Sequence, residues 1–220
     1  MSDLDLRQSV IATARAMSAR GLSPGRSGNV SCRLTSAEKN AGMLITPSGM
    51  AYDVITPDDV VAVSMDGAVA KGSRKPSSEW RFHLAAYQTR ADMQAIVHTH
   101  SMHATVLACA HKSIPAFHYM VAAAGGRDIP LVPYATFGTE ALSQHVAAGL
   151  RERNACLMAN HGMIAMGTTL ASALELATDV ELLAEQYWKV LQLGSVQVLP
   201  DDEMDRVLER FKGYGQKAQG

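Results

Sequence analysis

The sequence predicts an α/β fold in a single domain over residues 1–220, with a sheet that is at least partly antiparallel. Three observations carry this expectation. Segments with apolar residues at helical spacing alternate along the chain with short apolar runs of strand length. Asp66-Gly67 lies between two such runs, 60–65 and 68–71, and an Asp-Gly pair in that place signals a tight hairpin with antiparallel arms, unlike a doubly wound sheet. No linker or internal repeat divides the 220 residues, and 47% hydrophobic residues supply ample material for a core.

Taken in order, residues 4–20 place Leu6, Val10, Ile11, Ala14 and Met17 on one helical face, and Gly21 follows as a C-terminal cap. Residues 22–31 form a Gly/Ser-rich loop that runs into a strand at 30–34. Small residues there let backbone N–H groups approach a ligand, although an ordinary turn has the same composition. A short strand at 43–46 ends in the tight turn Pro47-Ser48-Gly49. Thr56 and Pro57 are the N-cap and first position of at most one helical turn.

Residues 75–79 lead into a helix at 80–89. Ser77 and Ser78 stand at its start, where unpaired backbone N–H groups and the helix dipole favour an anion. Glu79 belongs to the first turn, where a carboxylate is favoured for stability alone. Next come a buried strand at 94–100, a helix at 102–110 opened by Ser101, and a segment at 114–126 stopped by Gly125-Gly126. Residues 129–134 are strand-like but hold Pro130 and Pro133, which assigns them to a sheet edge. Thr139 caps a helix to about 150. A buried strand at 155–159 reaches a turn at 160–162, and 163–166 continues as a strand. The longest helix, 169–193, ends at Gly194, and a last amphipathic helix, 201–212, closes at Gly213-Tyr214-Gly215.

Twenty basic against twenty-one acidic residues leave a formal charge of -1 with no basic stripe, which excludes nucleic acid as the expected partner. The N-terminal residues lack the basic and apolar regions of a signal peptide, and no apolar run approaches the ~20 residues of a membrane span. Cys32, Cys109 and Cys156 are odd in number and lack Cys-x-x-Cys spacing. A reducing cytoplasm is the expected location.

The chemistry centres on 94–100. His98 and His100, two residues apart on a strand, project from one face and make half of a metal site, though hydrogen-bonded histidine pairs share that spacing. Further donors tip the balance. The strand at 155–159 delivers His161 at its end, and Glu79 adds a carboxylate from a helix start. Three imidazole nitrogens and one oxygen suit Zn²⁺ with a fourth position that substrate can take, Glu79 being an exchangeable ligand or a nearby base. With the Gly/Ser loops as a phosphate cradle, the simplest chemistry is proton abstraction beside a metal-polarised carbonyl in a phosphorylated sugar.

Five strings then fall into register: Ser-Gly-Asn-Val-Ser at 27–31, Thr-Pro-Ser-Gly at 46–49, Lys-Pro-Ser-Ser-Glu-Trp-Arg-Phe-His at 75–83, Val-His-Thr-His-Ser-Met-His at 97–103 and Asn-His-Gly at 160–162. In order and spacing the chain resembles the class II aldolase/adducin family over nearly its whole length, the stretch 114–139 included. The resemblance implies a three-layer α/β/α domain with a largely antiparallel central sheet. It implies one zinc per subunit on His98, His100 and His161, with Glu79 ligating the resting metal and then moving off to act as base. It implies that Gly28, Asn29, Ser48, Gly49, Ser77 and Ser78 hold the phosphate of dihydroxyacetone phosphate.

A homotetramer with active sites between subunits is also implied, in which Tyr119 and Tyr214 act from a neighbouring subunit as proton donor and aldehyde-pocket wall. The implied reaction is reversible cleavage of a ketose 1-phosphate, of the L-fuculose 1-phosphate type, to dihydroxyacetone phosphate and a lactaldehyde-like aldehyde. At the two positions before Gly28-Asn29 stand Arg26 and Ser27, and the Arg departs from the small neutral residues of the aldolases the chain resembles. Both residues are expected to face the aldehyde half, which brings in 5-deoxyribulose 1-phosphate and 5-methylthioribulose 1-phosphate as alternatives. A sugar-phosphate 4-epimerase and a non-enzymatic adducin-like interaction module are the remaining alternatives. Epimerases of the family tend to carry Asp where this chain has Glu79, and a bare interaction module has no need of three His and a Glu.

Overall fold

The computed structural model describes residues 2–23, 25–34 and 42–213. Its strands are β1 (Asn29–Arg33), β2 (Met43–Ile45), β3 (Val61–Val63), β4 (Ala95–Thr99), β5 (Leu131–Val132), β6 (Ala155–Met158) and β7 (Gly162–Gly167). Its helices are α1 (Asp3–Ala19), α2 (Trp80–Thr89), α3 (Met102–Cys109), α4 (Glu140–Leu150), α5 (Leu170–Gln192) and α6 (Asp201–Phe211). The strands form one sheet in the order β3-β2-β1-β4-β7-β6-β5. Every neighbouring pair is antiparallel except β5 and β6. Those two are joined through α4, and a helical crossover is what returns a chain parallel to its previous strand.

Period-two alternation on the strands divides the core into two layers. Leu44, Ala95, Val97, Leu157, Met163 and Ala165 face one side, where they pack with apolar residues of α1, α3, α5 and α6. Met43, Ile45, Ile96, Cys156, Met158, Ile164 and Met166 face the other, against α2 and α4. The result is the three-layer α/β/α arrangement with a largely antiparallel sheet. On α1 the inward residues are Val10, Ile11, Ala14 and Met17, the stripe read from the sequence, and a capping box of Ser2 and Asp5 opens the helix.

One expected element is absent. Residues 68–71 do not form a second hairpin arm; after the Asp66-Gly67 turn only a single bridge, Val63 to Val69, pairs with β3. Ala68, Ala70 and Lys71 are exposed, so nothing there offers apolar surface to hold a strand at this sheet edge. The expected edge strand at 129–134 shrinks to Leu131–Val132 between its prolines. The segment before it forms a 3₁₀ helix at Tyr119–Ala124, closed by Gly125 at φ +80°. Among the described residues no helix is long and apolar enough to cross a membrane. Tyr214 lies outside the described residues.

Candidate active site

Three separate stretches deliver four side chains to one end of β4. His98 shares its face of β4 with Ile96, toward α2, and His100 follows two residues on. His161 comes from the turn between β6 and β7. That turn holds Asn160 at φ +53°, a left-handed conformation that Asn tolerates, and Gly162 then re-enters the sheet. A Cβ at Gly162 would lie 2.4 Å from the Thr99 carbonyl oxygen and 2.9 Å from His100 Cδ2, so only glycine lets the turn settle against the end of β4. Glu79 occupies the N-cap position of α2, yet its side chain makes no cap hydrogen bond; it turns toward the imidazoles.

The geometry is that of a donor set. His98 Nε2 is 3.1 Å from His100 Nε2. The two Glu79 oxygens lie 3.1 Å from His98 Nε2 and 2.7 Å from His161 Nε2. All four ligand atoms lie within 4.8 Å of one another. A tetrahedron with zinc-type bonds of about 2.0–2.1 Å has edges of about 3.3 Å, so these separations fit such a cation. His98 Nδ1 is 2.8 Å from the Met163 carbonyl. A carbonyl only accepts, so Nδ1 carries the hydrogen and the Nε2 lone pair faces the cluster.

Without a cation, the positive charge that faces Glu79 has to come from the imidazoles themselves. Burial and the charges of His98 and His161 push His100 down to about 4, which keeps its ring neutral and able to ligate. Burial alone would raise the Glu79 carboxyl, but in the metal-free chain the positive charge of the neighbouring imidazoles and their hydrogen bonds to it outweigh burial and hold the group far below the usual range, a role that a cation would take over with the His98 Nε2 lone pair turned to it. Asn29 Nδ2 donates to Glu79 Oε2 at 2.8 Å, and the Asn29 oxygen meets His83 Nε2.

The cluster floors a cavity of about 350 Å³. Gly28, Asn29, Ser48, Gly49, Ser77 and Ser78 all line it, together with Glu79, His100 and His161. His98 is fully buried behind them. Gly28 has both backbone groups engaged, its N–H with Ser23 Oγ and its carbonyl with the Tyr52 hydroxyl. It serves by lacking a side chain, since a Cβ would lie 2.7 Å from the His98 carbonyl oxygen. The Asn29 side chain is committed to Glu79 and His83. Arg26 also lines the cavity and donates to the Gly49 carbonyl at 2.8 Å.

Tyr119 is not brought to the cluster within this chain; it is half exposed and lines a different groove with Phe211 and residues of α6. Sequence reasoning missed Tyr134 and Phe137, which line the cavity and are 58% and 64% exposed. Large aromatic residues in a short loop between elements were the signal for them. It also assigned no task to His83, Ser31 and Tyr87, although Glu79, His83 and Tyr87 recur every four residues on one helix.

The model of the class II aldolase and adducin N-terminal domain matches residues 8–188. The chain is 51% identical to the 5-methylthioribulose-1-phosphate/5-deoxyribulose-1-phosphate aldolase of Rhodospirillum rubrum, over 99% of this chain and 96% of that one. It is 48% identical to the L-fuculose phosphate aldolase of Escherichia coli K12, over 96% and 95% of the two chains. A solved structure of an L-fuculose 1-phosphate aldolase superposes with a TM-score of 0.90 at 40% identity, covering 96% of this chain and 98% of that one.

Proposed function

The chain belongs to the class II aldolase and adducin family, and on that premise we propose that it is a zinc-dependent aldolase. It cleaves a ketose 1-phosphate reversibly to dihydroxyacetone phosphate and a small aldehyde. The observation that carries this reading is the set of three imidazoles and one buried carboxylate on the floor of a cavity walled by Ser/Gly loops. His98, His100 and His161 would hold the cation, with Glu79 as the exchangeable fourth donor. The bound cation would supply positive charge where the carbonyl oxygen gains negative charge as the carbon–carbon bond breaks, an effect of several kcal/mol.

The remaining steps fall to side chains. Ser48, Gly49, Ser77 and Ser78 hold the phosphate, with Gly28 and Asn29 forming the wall beside it. In cleavage the C4 hydroxyl gives its proton to a phenolate oxygen, the C3–C4 bond breaks and the aldehyde leaves. Glu79, once it has taken up a proton from solvent, then delivers that proton to C3 of the three-carbon fragment. In the addition direction a phenol gives the C4 oxygen its proton, and we assign that task to Tyr119 and Tyr214 of a neighbouring subunit in a homotetramer. The enzyme works in the cytoplasm, without nucleic acid or membrane partners, and its three cysteines are free.

Relatives that act on L-fuculose phosphate and on the 5-deoxy- and 5-methylthioribulose phosphates stand at 48% and 51% identity, so the reading commits to the half that those ketoses share. The test is an assay of all three ketose 1-phosphates with the zinc-loaded enzyme, coupling dihydroxyacetone phosphate to glycerol-3-phosphate dehydrogenase and NADH. At least one should consume NADH at a steady rate. Conversion of a sugar phosphate to its isomer with no NADH consumed would replace the aldolase by a 4-epimerase.

A further inference from the structure

Behind the metal cluster a line of buried polar side chains runs from Glu79 into the core, and beyond Glu79 and Asn29 the cleavage chemistry gives it no task. Glu79, His83 and Tyr87 stand four residues apart at α2, and Asn29 and Ser31 stand two apart on β1. Four helical residues advance about 6 Å and two strand residues about 6.7 Å, so the two series stay in step where the helix crosses the strand. They interlock as a chain: Glu79 Oε2 to Asn29 Nδ2 at 2.8 Å, Asn29 Oδ1 to His83 Nε2 at 2.5 Å, His83 Nδ1 to Ser31 Oγ at 2.7 Å, Ser31 Oγ to Tyr87 Oη at 2.9 Å. All five residues are buried.

One constraint orders every hydrogen. An ionised carboxylate only accepts, so Asn29 turns its nitrogen to Glu79 and its oxygen to His83. That oxygen only accepts, so His83 carries its hydrogen on Nε2. Nδ1 then accepts from Ser31, and Ser31, with one hydrogen to give, accepts from Tyr87. All four hydrogens point toward Glu79. Burial pushes His83 down to about 3, which leaves the ring with the single hydrogen the chain requires. The amide in the middle does not relay protons, so the chain orients rather than conducts.

We propose that His83 is a positioning residue for Glu79. By donating to the Asn29 oxygen it holds the amide in place, so that the amide nitrogen tethers carboxylate oxygen Oε2 and leaves Oε1 to the cation and the substrate. The inference rests on Glu79 as ligand and base, and it adds the residue that sets Glu79's orientation. Without His83 the Asn29 oxygen loses its buried donor, so the amide is held by its bond to the carboxylate alone and the tether on Oε2 loosens.

The experiment uses His83→Phe, Asn29→Ala, the double variant and His83→Gln in the full-length protein. Phenylalanine keeps the ring stacked on Phe82, now at 5.0 Å and 19°, and removes both nitrogens. Zinc affinity is measured by chelator competition, and kcat and KM by the coupled assay. His83→Phe and Asn29→Ala should each weaken zinc binding about tenfold and lower kcat about 10- to 100-fold with KM within about threefold. The double variant should be no worse than the more severe single, because both act through one bond to Glu79. His83→Gln, whose amide nitrogen can donate to Asn29, should recover part of both losses. Wild-type zinc affinity and kcat in His83→Phe, or losses that multiply in the double variant, would overturn the proposal. Should His83→Phe fail to fold, the same cycle run with His83→Gln decides. If the wild type releases no dihydroxyacetone phosphate from any ketose, the aldolase reading falls, while the zinc-affinity cycle, which needs no substrate, still decides the role of His83.

Discussion

Two imidazoles hold a divalent cation poorly and three hold it well, so each ligand in the cluster is individually required. His98→Ala, His100→Ala and His161→Ala should each lose zinc on dialysis and nearly all turnover; normal zinc content with normal turnover in any of them would remove that residue from the site. Glu79→Gln separates ligation from proton transfer. An amide ligates weakly but accepts no proton, so zinc should remain while kcat falls by about 10²–10⁴. A variant within a few-fold of wild type would make Glu79 structural. His83 gives a pH prediction for the metal-free protein. Its folded-state value, about 3, lies below the ordinary 6.5 mainly because of burial, so between those limits the unfolded chain binds the extra proton. Stability present above pH 6.5 is therefore lost as pH falls toward 3, at up to about 1.4 kcal/mol per pH unit. Urea unfolding at pH 7.5, 6 and 5 should show wild type declining more steeply than His83→Phe; parallel curves would contradict the buried neutral ring.

Elements place those residues, and the decisive one is the β6–β7 hairpin. Its turn brings His161 to the end of β4 only because Gly162 lies against the Thr99 carbonyl and the His100 ring. Gly162→Ala must push β7 and β4 apart at that end. The expected cost is about 1–3 kcal/mol, typical of overpacking a tight site. Because His161 and His100 move relative to each other, zinc affinity should fall as well. Thermal unfolding and chelator competition check both; a variant that loses stability but binds zinc normally would show that the donor set tolerates the shift. The start of α2 shows the same priority of site over element. Glu79 holds the N-cap position without capping, and Ser77 Oγ accepts the Glu79 N–H instead.

At the scale of the whole molecule the open question is what completes the cavity. Tyr119 lines a separate groove beside α6 and not the cavity that holds Glu79. The proposed homotetramer resolves this by letting one subunit supply Tyr119 and Tyr214 to the next. Phe211 packs against the core, so a truncation that tests the tail should end after Gly213 and spare it. That protein should keep its zinc and its oligomeric state by light scattering, while turnover falls and selectivity among aldehydes blurs. The loss should be smaller than that from removing a zinc ligand, since the cation still stabilises the developing charge. Unchanged kinetics on the best ketose would sink the role given to the tail.

Much of this was legible along the chain. Helix stripes, strand runs, caps and the His-x-His spacing are local patterns, and local backbone geometry dictates which neighbours share a face; hence α1, α2, the buried β4 and the pairing of His98 with His100 follow from the sequence by itself. The strings at 27–31, 46–49, 75–83, 97–103 and 160–162 also sufficed to name the family. The hairpin arm at 68–71 failed because a turn signal says nothing about whether the next residues find surface to bury. Only the tertiary structure decided the contacts between distant stretches: that the Asn29 amide belongs to Glu79 and His83, that Arg26 reaches the Gly49 carbonyl, that Tyr134 and Phe137 wall the cavity and that Tyr119 does not. These depend on strand order and register, which set residues fifty positions apart side by side, and no local periodicity encodes which of several buried polar groups will meet across a sheet and its covering helix.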